Sequence, residues 1–265
     1  MNLKIGIIAV GYRCHEYINS VMAPWINAKF GIPELGIKPI EGVEFYIAAT
    51  TALFKEYADM GEKYDNDRTE TYLAAAKQSK LIDYVDIVKE PILDFQSRNY
   101  CWDNLKNLDL DLTWQLDLYD EVYTREQIEK IIEYIKENPY YDYYSVNFKN
   151  YAIDINTYLD GFCPPRIHWV KRHGGIDQWV WDNDLRYKDG TLSVNCAKAI
   201  IPKGRAFVNH YTWCGDEDFL RKKVRYQNRA LKTCSYVFNE QTKKLEFNKE
   251  YYTRLGQPIP TLYKD

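Results

Sequence analysis

Along the first half of the chain, short apolar runs alternate with stretches whose apolar positions recur every three or four residues. Ile5 to Val10 is apolar apart from Gly6, the pattern of a strand buried on both faces. From His15 to Lys29, Ile18, Val21, Met22 and Trp25 share one helical side, but Pro24 lies inside and predicts a kink or break. Val43 to Thr50 reads as a second strand, and the polar stretch Tyr57 to Arg68 as a surface loop. A helix over Thr69 to Lys80, a strand over Tyr84 to Val88, a helix over Leu93 to Asn107 and a strand over Leu112 to Leu118 follow. Thr124, with Gln127 three residues on, forms a capping box for a helix that runs to Lys136 and stops at Asn138-Pro139. Tyr143 to Asn150 is the next strand. Alternating strands and helices define an α/β protein with a largely parallel, doubly wound sheet. The second half is less regular: Pro164-Pro165, Gly174-Gly175 and Asp189-Gly190 mark turns, Asp216 to Ala230 reads as a helix, and a polar tail carries Pro258 and Pro260. With no internal repeat and no low-complexity linker, residues 1–265 read as one domain.

Composition changes this picture little. The 265 residues suffice for a full core, and 46% apolar with 28% charged residues is ordinary for a globular protein. The opening apolar run is too short for a membrane span and lacks a signal-peptide cleavage pattern, which gives the expectation of a cytoplasmic protein. Six cysteines without CxxC pairs indicate neither a zinc site nor a disulfide framework. The net charge of −3 conceals an asymmetry: residues 161–235 carry 14 Lys/Arg against 7 Asp/Glu. Such a segment suits an anionic partner, or equally a solvated basic face beside an acidic half.

The sharpest chemical feature is Trp114-Gln-Leu-Asp117-Leu-Tyr-Asp120-Glu121, which places three carboxylates where a strand stops and a capped helix approaches. Ligands of open α/β sheets bind outside the carboxyl ends of the strands, and clustered oxygens suit Mg²⁺ or Mn²⁺ and the phosphates those ions hold. The alternative is a pair of solvated turn acids, Asp120 and Glu121, aiding the next helix dipole.

This strand, acidic turn and Thr-capped helix resemble the DxD region of GT-A-fold glycosyltransferases, in particular the family-2-like enzymes. Other parts fall in the corresponding order. Lys4 to Tyr12 is similar to the opening strand and loop of that family, Ser97-Arg98-Asn99 to its Arg-Asn pair, and Val208-Asn-His210-Tyr-Thr-Trp213 with Phe219 to Lys223 to its late His-Tyr segment and helix. The resemblance covers residues 1 to 230. It implies a GT-A fold whose residues 1–125 bind a nucleotide-sugar donor and whose residues 126–265 face the acceptor. It also implies hexosyl or pentosyl transfer assisted by Mn²⁺ or Mg²⁺. Val10, Gly11, Tyr12, Arg98 and Asp117 would then bind the donor, Asp120 and His210 the metal, and Asp182 or Asp184 would take the acceptor's proton. The spacing departs from the family, because Asp117-x-x-Asp120 is one residue longer than DxD.

The segment Gly161 to Gly175, rich in Arg, His and aromatic residues, suits a loop that grips a diphosphate or forms an exposed rim. A glycan, a protein, a lipid-linked sugar or a modified nucleic-acid base would each serve as acceptor, although the chain's acidity argues against strong nonspecific nucleic-acid binding. Two other functions use the same features: a metal-dependent nucleotidyltransferase, and a noncatalytic sugar- or nucleotide-binding module.

Overall fold

The computed structural model of the chain describes residues 2–64, 68–152, 156–181, 183–214, 217–230 and 234–264. Its first half follows the expected alternation. Strand β1 (Leu3–Gly11) leads to α1 (Ile18–Phe30), then β2 (Val43–Phe54), a single-turn helix α2 (Lys55–Ala58) and α3 (Thr69–Gln78). Next come β3 (Tyr84–Ile92), α4 (Asp94–Leu105), β4 (Leu112–Asp117), the two-residue strand β5 (Glu121–Val122) and α5 (Arg125–Glu137). The second half consists mostly of short strands: β6 (Tyr143–Ser145), β7 (Phe148–Ala152), β8 (Thr157–Phe162), β9 (Pro165–Trp169), β10 (Ile176–Trp179), β11 (Leu185–Tyr187), β12 (Lys198–Ile200) and β13 (Val208–Trp213). Helix α6 (Glu217–Ala230), the hairpin β14 (Tyr236–Asn239) and β15 (Lys244–Phe247), helix α7 (Lys249–Leu255) and β16 (Tyr263–Lys264) complete the order.

Seven strands form the central sheet in the order β12-β6-β9-β4-β1-β2-β3. All its pairings are parallel except the two made by β9, which runs antiparallel to both β4 and β6. This is the expected α/β class, with a mostly parallel sheet flanked by helices. The chain adds β2 and β3 on one side of β1 and then returns to place β4 on the other. The crevice outside the carboxyl ends of β1 and β4 is therefore the topological switch point, where open sheets of this kind take their ligands.

Packing explains why these segments hold. On one face of the sheet, Ile5, Ile7, Phe45 and Trp114 meet α1 and α5. Trp25 of α1, Trp114 and Tyr123 form an edge-to-face trio with centroids 4.7–5.6 Å apart. Ile18, Val21, Met22 and Trp25 are all fully buried, so α1 continues through Pro24. The carbonyl that would pair with the missing Pro24 N–H belongs to Ser20, an exposed residue that water can satisfy. On the other face, Ile8, Val10 and Ala48 pack with Cys101, Trp102 and Leu105 of α4, and the β10–β11 hairpin closes this layer with Trp179 and Tyr187. The α5 cap forms as the sequence predicts: Thr124 Oγ1 accepts the Gln127 amide at 3.2 Å and Gln127 Oε1 accepts the Thr124 amide at 2.7 Å.

The strand expected over Tyr143 to Asn150 is instead two strands in different sheets. After Ser145 the chain leaves the central sheet, and β7 enters a five-stranded sheet of order β16-β8-β7-β13-β5. Of the stretch Tyr57 to Arg68, residues 65–67 lie outside the described residues, as does Asp216 at the expected start of α6. No described helix is long and apolar enough to cross a membrane.

Candidate functional site

The acidic turn occupies the switch point. Asp117 ends β4 beside Val10 of β1, and the Leu118 amide donates to the Val10 carbonyl at 2.8 Å. Gly11 is required by this approach, since a Cβ there would lie 2.8 Å from Leu118 Cβ and 3.1 Å from Cys14 Sγ. Beyond the turn, β5 runs antiparallel to β13, placing His210 opposite Glu121. The Tyr211 amide donates to the Asp120 carbonyl at 2.9 Å and fixes the turn against that strand.

Asp120, Glu121 and His210 are all buried, and one ligand atom of each lies within 4.8 Å of the others. His210 Nδ1 is 2.6 Å from Asn150 Oδ1, an acceptor only, so the ring proton sits on Nδ1. Nε2 faces Asp120 Oδ2, 3.4 Å away. A divalent cation can bridge a carboxylate and an imidazole brought this close in a buried site, and an outer partner such as Asn150 is how proteins orient a ligating histidine. Glu121 adds a second oxygen, because its Oε2 is buried without a hydrogen-bond partner among the described residues. The residues present therefore fit Mn²⁺ or Mg²⁺.

A network of buried arginines surrounds these groups. Arg98, 1% exposed, donates from Nε to Gln115 Oε1 at 3.0 Å, from Nη1 to Asp94 Oδ1 at 2.6 Å and from Nη2 to Asp117 Oδ1 at 2.9 Å. Arg166 bonds Glu121 Oε1 through both Nε (2.9 Å) and Nη2, reaches Asp117 Oδ2 at 3.4 Å, and donates from Nη1 to Asn183 Oδ1. Burial pushes Glu121 well above the usual carboxylate range despite the pull of Arg166. Burial also opposes the Arg166 charge, but Glu121 and Asp117 outweigh it and keep the guanidinium protonated. Lys223 of α6 is held below the usual lysine range by burial, an effect that Asp120 and Asp117 oppose. Four carboxylates (Asp94, Asp117, Asp120 and Glu121) thus face three fixed cations (Arg98, Arg166 and Lys223) among the described side chains.

Each residue expected to act, Asp182 excepted, has a described place. Val10 and Gly11 line the switch point, and Asp120 and His210 meet at it. The Tyr12 hydroxyl donates to the Lys63 carbonyl at 3.1 Å, and its ring lies 5.9 Å from that of Tyr64. Arg98 and Asp117 are paired with each other. Asp184 accepts a hydrogen bond from Ser193 Oγ at 3.2 Å, and Asp182 lies outside the described residues. The segment Gly161 to Gly175 is neither a diphosphate-gripping loop nor a rim. Its centre is strand β9, inside the sheet, with Arg166 and His168 buried. Desolvation is the reason: these polar groups are tolerated there because Glu121, Asn183 and Gln115 pair with them. Sequence reasoning passed over Gln115, Asn150 and Asn183, and took Arg166 only as one cation of the Gly161 to Gly175 segment. Gln115 alone gave a signal, as a polar residue inside the apolar run of β4.

No family model matches the chain. No curated protein matches it either. Among solved structures, S. aureus TarS residues 1–349 superposes with 13% identity and a TM-score of 0.47, covering 91% of this chain and 68% of that one. The same fragment in complex with UDP gives 12% identity, a TM-score of 0.48 and the same coverage, and a further structure of S. aureus TarS gives 12% and 0.45 over 91% of this chain and 41% of that one. A likeness of this degree says nothing of what the present chain acts on.

Proposed function

We propose that this chain is a GT-A-like glycosyltransferase that uses a nucleotide-diphosphate-sugar donor. The observation that carries this reading is the meeting of Asp120, Glu121 and His210 at the switch point of a mostly parallel sheet. Brought together from the turn before β5, from β5 and from β13, they would make a buried cation centre where a nucleotide would lie along the ends of β1 and β4. A divalent ion held by Asp120 and His210, with Glu121 beside them, would supply charge neutralisation to the departing diphosphate. Arg98 and Arg166 fix the carboxylates around that centre. Val10 and Gly11 leave the backbone free to approach the nucleotide, and Tyr12 stands at the mouth of β1. Asp184, whose carbonyl accepts from the amide of the exposed Trp181, or Asp182 would take the acceptor hydroxyl's proton. The acceptor class is set by chemistry beyond this centre.

The test is a screen for release of nucleoside diphosphate from UDP-, GDP- and dTDP-sugars with Mn²⁺, with EDTA and with Asp120→Asn. Release from one donor that needs the ion and fails in the variant supports the reading. Release of pyrophosphate would instead identify a nucleotidyltransferase, and donor binding without turnover would identify a binding module.

A further inference from the structure

At the opposite end of the central sheet, three more metal-ligating side chains converge. Asp142 immediately precedes β6, and Cys196 lies just before β12, the strand parallel to it. Backbone and side chain tie the two segments together, since the Asp142 amide donates to the Ala197 carbonyl at 2.8 Å and the Ala197 amide donates to Asp142 Oδ2 at 2.9 Å. The third group, His173, belongs to the turn that opens the β10–β11 excursion. Its Nε2 lies 3.6 Å from Cys196 Sγ and 3.6 Å from Asp142 Oδ1. The thiol, imidazole and carboxylate ligand atoms all fall within 4.8 Å of one another.

Three further features distinguish this cluster from a chance surface grouping. His173 Nδ1 is 3.1 Å from Asp189 Oδ2, which fixes the ring proton on Nδ1 and leaves Nε2 as the ligand atom. A carboxylate behind a histidine in this way is the usual outer partner of a zinc ligand. The His173 backbone is held at φ 51°, ψ 36°, an uncommon conformation for a residue with a side chain. The Tyr187 ring lies tilted against that of His173, centroids 4.9 Å apart, and its hydroxyl is buried without a hydrogen-bond partner among the described residues. Arg172 approaches Asp142 only at 3.9 Å and does not occupy the centre.

We infer that Asp142, His173 and Cys196 form a zinc site, with its fourth position open to a water beside Tyr187. Ligand atoms about 2.0–2.3 Å from a tetrahedral zinc stand roughly 3.3–3.7 Å apart, and the two His173 separations match that spacing. The mixed sulfur, nitrogen and oxygen set suits a borderline ion better than Mg²⁺ or Mn²⁺, so this site and the Asp120 centre select different metals. On binding, Cys196 loses its thiol proton to solvent as the zinc–sulfur bond forms. The ion would clamp the start and end of the excursion that spans β10 and β11 to the amino ends of β6 and β12. That excursion carries Asn183, which bonds Arg166, so the clamp would be structural for the loop next to the candidate active site. The inference is independent of the glycosyltransferase reading.

Untagged full-length protein, grown with added zinc and desalted, should retain about one zinc per chain, as sites with three protein ligands and a water do. Zinc should be lost in Cys196→Ser and His173→Ala and kept in Asp120→Asn. Co²⁺ added to the zinc-free protein should give a thiolate-to-cobalt charge-transfer band, and zinc should protect Cys196 from alkylation as read by peptide mass spectrometry. These last two readouts use the unaltered chain and stand even if a variant fails to fold. No retained zinc together with no cobalt band would overturn the inference, as would zinc retained equally in Cys196→Ser and His173→Ala.

Discussion

His210 Nε2 lies 3.4 Å from Asp120 Oδ2, although the two residues come from opposite halves of the chain. Strand pairing produces the contact, because β13 lies between β7 and β5 and delivers His210 to Glu121 on one side and to Asn150 on the other. If this pair holds a cation, Asp120→Asn and His210→Ala should each weaken Mn²⁺ binding at least tenfold. Asn150→Ala, which frees the ring without removing a ligand, should weaken it by about 10- to 100-fold. Titration of the Mn²⁺ electron paramagnetic resonance signal measures all three. Wild-type affinity in Asp120→Asn would remove Asp120 from the site.

Arg166 and Glu121 are a buried ion pair, 4% and 0% exposed at their side chains. Removing one partner strands the other's charge, so Arg166→Met should cost about 3–5 kcal/mol of stability. The double variant Arg166→Met/Glu121→Gln should recover part of that loss. Urea unfolding of the two variants beside the parent decides it, and equal destabilisation of single and double variants would argue against the pairing.

His168 gives a pH signature. Gln115 Oε1 accepts from Arg98, so its amide nitrogen donates to His168 Nε2 at 3.2 Å, and the imidazole is neutral with its proton on Nδ1. Burial, helped by Arg166, pushes its pKa down to about 3, against 6.5 in an exposed histidine. The unfolded chain therefore binds a proton across this window and the folded chain does not. Stability from this group is complete above pH 6.5 and falls as pH drops toward 3, with a slope approaching about 1.4 kcal/mol per pH unit. His168→Gln can still accept from Gln115 and should flatten the fall in urea midpoint between about pH 6.5 and about pH 5, above most carboxylate titration. An unchanged slope would mean that His168 protonates in the native state.

Gly11→Ala tests the close approach of β1 to the acidic turn. The added methyl must displace Leu118, and with it the Asp117–Asp120 turn, by a sizeable fraction of an ångström. Displacements near 1 Å at a reacting centre lower rates by as much as about 100-fold. The expected result is a loss of turnover of that order with near-normal circular dichroism, and full activity would show that the turn tolerates the shift.

Much of the first half was legible because its signals are local. An unbroken apolar run, a Thr-x-x-Gln cap and a helical stripe each depend on neighbours a few residues away. Asp120 and His210 were implied as ligands by the resemblance to the acidic turn and late His-Tyr segment of GT-A enzymes, and the fold places them together. What was not legible depends on pairing across the chain. The stretch from Tyr143 reads as one strand because nothing in its apolar pattern marks the change of sheet after Ser145. Arg166 and His168 read as part of a diphosphate-gripping loop or an exposed rim because composition cannot show that β9 inserts between β4 and β6. Cys196 has no cysteine partner nearby, so a spacing rule passes over it, while Asp142 and His173 arrive from two other segments.

Strand β4 has one further consequence, for how this protein can change over generations. Its apolar residues Leu112, Trp114 and Leu116 pack on one side, while Gln115 and Asp117 turn to the other and join His168, Arg98 and Arg166. Every member of that set bonds another, with His168 Nδ1 alone left without a partner in it, so a lone substitution strands a further polar group in the interior. Such a file cannot drift one position at a time. Viable descendants must either keep it whole or exchange several members within a short span of history, so among distant relatives these positions should vary as a block while the exposed acids of α5 vary freely.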